Sequence, residues 1–154
     1  MKLRIGTLKM VSPAFQSQGR IPDKHTGVGE NVSPALQWSG APSGTKEFAL
    51  ICHDPDAPLP RGFTHWVIYG IPGDATGIAE GGGGTFTEGP NGMGKRGYTG
   101  PMPPEGHGPH HYLFWVYALD KALGLKAGLD LDALIDAIED HVIEQARLVG
   151  VYQR

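Results

Sequence analysis

Hydrophobic residues in this chain gather into short, dense runs separated by long polar stretches rich in glycine and proline. Three runs stand out, at residues 48–52 within Glu47-Phe-Ala-Leu-Ile-Cys-His53, at 66–71 and at 112–119. Each is short, rich in aromatic and aliphatic side chains, and flanked by polar or turn-forming residues, which predicts three central strands. Residues 2–10 alternate loosely and predict an opening strand. Between 11 and 46, Pro13, Pro22, Pro34 and Pro42 interrupt any long element, and Gly27-Val-Gly29 and Ser39-Gly40 add turns. Residues 72–109 are poor in apolar side chains and contain Gly81-Gly-Gly-Gly84 and Gly89-Pro-Asn-Gly-Met-Gly-Lys-Arg-Gly97. The chain is too short to split comfortably into two domains, so this stretch reads as a long functional loop within one domain.

One segment has helical spacing. Asp130 suits an N-cap, and Leu131, Leu134, Ile135, Ile138, Val142 and Ala146 form a stripe on one helical face. Asp132 and Asp136 sit towards the favourable N-terminal end, Arg147 towards the C-terminal end, and Gly150 is a stop signal. A helix over about 130–148 follows, with a short strand at 148–152 overlapping or succeeding its end. The stripe is a packing face, and His141 beside it reads as a surface residue. The balance is mainly β with one helix, and no alternation of strand and helix points to a parallel sheet.

Length and composition narrow the function classes. The 154 residues fit a single domain spanning 1–154 with a real core. The 24 glycines and 13 prolines imply much irregular connecting chain. A net charge of −3 with scattered Lys and Arg argues against nucleic-acid binding and against a polybasic membrane patch. Cys52 is the sole cysteine, so no internal disulfide is available, and its place in a core run reads as a small buried hydrophobe. The N-terminal Met-Lys-Leu-Arg-Ile-Gly lacks the apolar run of a secretory leader, and no stretch reaches membrane-spanning length. The expectation is a soluble, cytoplasmic protein with no membrane insertion.

Several motifs fail on their context. Gly89-Pro-Asn-Gly-Met-Gly94-Lys95 fits seven positions of a phosphate-binding P-loop, but Arg96 stands where Ser or Thr would hold magnesium. The following Gly97-Tyr-Thr-Gly-Pro-Met-Pro-Pro104 cannot form the helix such a loop needs. No Gly-x-Ser-x-Gly elbow is present. Glu105, His107, His110 and His111 cluster in sequence, yet His110 and His111 are adjacent at a strand mouth and point to opposite faces, which disfavours one shared metal ion. Neither a metal nor a cofactor is expected.

The strongest chemical signal is Asp54-Pro-Asp-Ala-Pro58, where a core strand meets its exit loop. Proline fixes its own φ and restricts the residue before it, so the two carboxylates keep a nearly constant relation. Taken alone, Asp54 and Asp56 read more readily as turn residues bonded to nearby amides than as site residues, and His65 and His110 more readily as hydrogen-bonded strand-end histidines than as ligand contacts. Taken together, Asp54 and Asp56 leave one strand, His65 enters a second, Gly100-Pro101 forms a rigid turn, and His110 and Tyr112 share a face of a third. Their convergence would give a pocket in which imidazole and phenol donate to an anion while carboxylates orient a histidine and favour its charged form.

These residues resemble the phosphatidylethanolamine-binding proteins, in their bacterial and archaeal Raf-kinase-inhibitor-like branch. The matching stretches are Asn31-Val-Ser-Pro34, Leu36-Gln-Trp38, Asp54-Pro-Asp-Ala-Pro58, His65-Trp66-Val67, Tyr98-Thr-Gly-Pro101, Pro103-Pro104, Gly108-Pro-His-His-Tyr112 and Ala118-Leu-Asp120. The resemblance implies antiparallel sheets in a Greek-key arrangement with peripheral helices. It implies a small pocket for phosphate-like anions and phospholipid head groups, lined by Asp54, Asp56, His65, Gly100, Pro101, His110 and Tyr112. Phe63 would wall the pocket, the C-terminal helix would cover it, and His111 stands where many members have arginine. Three function classes follow. The first is a non-enzymatic protein that binds a phosphate-like anion or a phosphoethanolamine-like phospholipid head group and acts as a regulatory or signalling modulator. The second is an inhibitor of a kinase or protease acting through the loops at 81–97 and 103–109. The third is a hydrolase using Asp54, His65 and His110 as acid–base groups, for which no nucleophile is evident. The resemblance also allows a homodimer.

Overall fold

The computed structural model describes residues 4–154. In chain order the strands are β1 (Lys9–Val11), β2 (Leu36–Ser39), β3 (Glu47–Asp54), β4 (Phe63–Pro72), β5 (Gly77–Ile78), β6 (Thr87–Glu88) and β7 (His110–Leu119), then helix α1 (Leu131–Ile138) and strand β8 (Val142–Tyr152). The three predicted central runs are β3, β4 and β7. They lie side by side and antiparallel in a five-stranded sheet ordered β6-β4-β3-β7-β8. A smaller antiparallel sheet, β1-β2-β5, forms a second layer.

Strand parity explains why the central runs are continuously apolar. Phe48, Leu50 and Cys52 face one side of the large sheet, with Trp66, Ile68, Phe114 and Val116. There they meet Met10, Leu36, Trp38 and Ile78 of the small sheet. Ala49, Ile51, Val67, Tyr69 and Tyr117 face the other side, where Leu134 and Ile138 of α1 cover them. A sheet buried on both faces has no solvent-facing positions to fill with polar residues.

Sequence and structure differ at the C-terminal element. The helix starts at its predicted cap, with the Asp130 carboxylate accepting from the Ala133 N–H at 2.9 Å. It ends at Ile138, passes through a 3-10 turn at Glu139–His141, and residues 142–152 form β8 instead of continuing the helix to 148. The apolar stripe belongs to two elements: Leu134 and Ile138 pack as helix, whereas Val142 and Leu148 pack as strand. The ladder from β8 to β7, running from Leu119↔Val142 to His110↔Tyr152, outweighs the local helical periodicity. The expected opening strand is confined to β1, and residues 1–3 lie outside the described residues. The two glycine- and proline-rich stretches are mostly irregular, as expected, but contribute β2, β5 and β6. No helix among the described residues is long and apolar enough to cross a membrane.

Candidate functional site

The strand ends place the chemistry. Asp54 closes β3, His65 is near the start of β4, and His110 opens β7. Residues two apart on a strand share a face, so His110 and Tyr112 point together. Asp54 pairs in register with Phe63, bringing the starts of β4 and β7 around the end of β3.

Asp54 makes two short contacts. Its Oδ1 accepts the Asp56 N–H at 2.7 Å, fixing the turn through Pro55, and its Oδ2 lies 2.7 Å from His110 Nδ1. The turn role and the histidine-orienting role therefore belong to one carboxylate. The Asp54 and His110 side chains are 3% and 2% exposed, so this pair has left water almost completely. On the far side of the ring, His110 Nε2 lies 2.6 Å from Nδ1 of the exposed His107.

His65 is held differently. Its Nδ1–H donates to the Thr99 carbonyl at 2.6 Å. Burial pushes its pKa down to about 4, against the raising effects of the Thr99 bond and the Asp54 charge. The ring is neutral at ordinary pH, and its Nε2 offers a lone pair with no protein partner among the described residues. Its ring meets Phe63 edge-on at 4.8 Å and Tyr112 at 5.1 Å. Burial, reinforced by Asp54, pushes the Tyr112 phenol far above its usual range, so it stays a donor. Cys52 is buried, and desolvation pushes its thiol well up, which disfavours the thiolate form.

Asp54, Phe63, His65, Thr99, His110 and Tyr112 line a cavity of about 340 Å³. Its floor is Asp54, His65, His110 and Tyr112, and its walls are mostly hydrocarbon, including Pro58, Leu59, Phe63, Met93 and Met102. Among the described residues no lysine or arginine lines it. Leu59, Met93 and Met102 are among the few large apolar side chains exposed among the described residues, at 53%, 61% and 52%. The mouth is therefore greasy while the floor is polar. Gly100 forms part of the rim, where its N–H donates to Asn31 Oδ1 at 2.7 Å. A Cβ there would collide with the His25 carbonyl oxygen, so only glycine lets the two loops approach this closely.

Five of the seven expected residues, Asp54, His65, Gly100, His110 and Tyr112, line this one cavity. Asp56 does not: its carboxylate accepts from the His111 N–H at 2.8 Å and lies 2.7 Å from His111 Nδ1. Burial pushes the Asp56 carboxyl up, but its bonds to the His111 ring and backbone outweigh this and leave it below the usual range. Pro101 sits behind the rim, buried, with its carbonyl accepting the Gly27 N–H at 2.9 Å. Phe63 is a wall, as expected. Helix α1 does not cover the cavity. Its first turn instead borders a neighbouring cleft of about 440 Å³, together with His53 and Arg61, and Leu59 and Phe63 divide the two spaces. The sequence reading missed Met93, Met102 and Thr99, which sit in irregular loops, and considered His107 only as a metal ligand. Among the described residues no group of three or more His, Cys, Asp or Glu side chains has metal-holding geometry.

Comparison with known proteins agrees with this fold. The profile of the phosphatidylethanolamine-binding protein family matches residues 11–153. A UPF0098 protein of Methanothermobacter thermautotrophicus is 44% identical over 153 residues, covering 96% of this chain and 99% of that protein. A UPF0098 protein of Pyrococcus horikoshii is 43% identical over 152 residues, covering 94% of this chain and 76% of that protein. Two crystal structures superpose closely. One is a phosphatidylethanolamine-binding protein homologue, CT736, from Chlamydia trachomatis, with a TM-score of 0.90 and 33% identity over 96% of this chain and 98% of that one. The other is YbcL of Escherichia coli, described as a member of the mammalian family, with a TM-score of 0.89 and 30% identity over 97% of this chain and 99% of that one.

Proposed function

Because this chain belongs to the phosphatidylethanolamine-binding protein family, we propose that its cavity binds a small anionic group such as a phosphate or a phospholipid head group, and that the protein acts by binding and not by catalysis. The observation that carries the reading is the buried Asp54–His110 pair, flanked in one cavity by the Tyr112 hydroxyl and His65 Nε2, which make no hydrogen bond to another side chain or backbone group among the described residues. Tyr112 donates to an anionic oxygen. Neutral His65 accepts from a protonated phosphate oxygen or from an ammonium group on the same ligand. The exposed Leu59, Met93 and Met102 suit the apolar part of a molecule whose head occupies the floor. Calorimetric titration with phosphate, phosphoethanolamine and citrate tests this: binding of at least one at millimolar concentration is expected, and no heat from any of them overturns it.

A second reading draws on the chain of short contacts from Asp54 through His110 to His107. An acid–base relay of this kind supports hydrolysis of a phosphate or acyl ester. Among the described residues the cavity lining contains no serine and no cysteine, and Thr99 directs its hydroxyl to Met93 sulfur at 3.7 Å. Ester and phosphate screens on the wild type and His110→Ala decide: turnover lost with that change favours catalysis, and no turnover of any substrate removes it.

A further inference from the structure

His107 lies outside the cavity lining, yet its Nδ1 is 2.6 Å from His110 Nε2, the nitrogen opposite the one held by Asp54. Two imidazole nitrogens at this separation share one hydrogen, since one must donate and the other accept. We propose that His107 completes the Asp54–His110 pair as its proton entry, so that an anionic guest binds together with one proton taken up by the two imidazoles. This deepens the anion-binding reading and rests on it.

The charge count leads to this. Among the described residues no lysine or arginine lines the cavity, and His65 is neutral with its Nδ1–H bound to Thr99. With both rings neutral, Asp54, His110 and His107 carry one negative charge, which opposes an anion. One added proton brings that count to zero. A proton placed on His110 alone would sit in a site nearly closed to water. Shared with His107, the charge reaches a solvent-exposed ring at little desolvation cost.

The loop is built to keep His107 in place. Arg154 Nε donates to the Pro103 carbonyl at 2.7 Å, the Gly106 N–H donates to the Arg154 carbonyl at 3.1 Å, and the His107 N–H donates to the Pro104 carbonyl at 3.2 Å. Gly106 and Gly108 on either side have φ of 73° and 89°. The charged neighbours are few. Glu105 lies on the same loop, with Arg154 Nη1 3.7 Å from its carboxylate, and Asp54 stands behind His110. Asp56 is engaged by His111 on the opposite face of β7.

The test uses the full chain and His107→Ala, which keeps every backbone bond of the loop. Nitrogen NMR of the histidines without ligand, over about pH 5.5 to 8.5, should show His110 Nε2 shifting in step with His107 and losing that step in the variant. Titration of phosphoethanolamine in buffers of different ionisation enthalpy should give about one more proton taken up by the wild type. Affinity should fall about ten-fold in the variant at pH 6 and less at pH 8.5. Unchanged affinity and pH profile in His107→Ala overturn the proposal, and so does tighter binding at every pH, which would make His107 a plug. Should the wild type bind nothing, the anion-binding reading and the guest-coupled uptake fail together. The NMR then still decides whether the two rings share a proton, and independent titration of His110 removes that as well.

Discussion

His110 Nδ1 lies 2.7 Å from Asp54 Oδ2, with both side chains shielded from solvent. Removing one member of such a pair leaves the other buried without its partner. Asp54→Ala should cost about 3–5 kcal/mol, lowering the melting temperature by roughly 10 °C in a chain of this size. Asp54→Asn keeps an acceptor for the Asp56 N–H and should cost less, about 1–3 kcal/mol. Equal melting temperatures for Asp54→Ala and the wild type would show that the pair contributes nothing to stability.

His65 makes stability depend on pH in a defined direction. The folded chain holds the ring neutral down to about pH 4, while the unfolded chain protonates it near its ordinary 6.5. The unfolded state thus binds more protons between these values. This group leaves stability at its full value above about pH 6.5 and erodes it as pH falls towards 4, by roughly 3 kcal/mol. Urea unfolding at several pH values should show that slope in the wild type and a weaker one in His65→Gln. The same slope in both would assign acid sensitivity to other groups.

Asn31 supports the rim from a distance in sequence. It has φ of 59° and accepts the Gly100 N–H at 2.7 Å. Asn31→Ala loses the acceptor and retains an unfavourable backbone conformation, at roughly 2–3 kcal/mol. Asn31→Gly loses only the acceptor and should be about 1 kcal/mol less damaging. Chemical denaturation of both variants checks the order, and a reversed order would mean that the left-handed conformation costs nothing here.

These residues also show what sequence can and cannot reveal. β3, β4 and β7 were legible because both their faces are buried, which leaves a continuous apolar signature. The start of α1 was legible because capping by Asp130 is local. Its end was not, because Val142 and Leu148 continue a helical spacing while their conformation is set by pairing with β7, thirty residues or so upstream in the chain. On the site, His110 and Tyr112 followed from strand parity. Asp56 escaped because parity also places His111 on the opposite face, where it captures that carboxylate. Met93 and Met102 sit in irregular loops, whose geometry no periodicity encodes.

Phe63 offers a test of the cavity as a bounded site. It separates the polar-floored cavity of about 340 Å³ from the neighbouring cleft of about 440 Å³ and holds the His65 ring edge-on at 4.8 Å. Phe63→Ala should merge the two spaces and free His65 to tilt, weakening phosphoethanolamine binding about five-fold, or about 1 kcal/mol. Phe63→Leu fills most of the wall without the ring contact and should fall between the two. The cost to stability should be modest, about 1–2 kcal/mol, because Phe63 is only half-buried. A crystal structure of Phe63→Ala should show one continuous cleft. Wild-type affinity in that variant would mean that the guest is gripped at the floor alone, by Tyr112 and the Asp54–His110 pair, and that the wall shapes the cavity without contributing to binding.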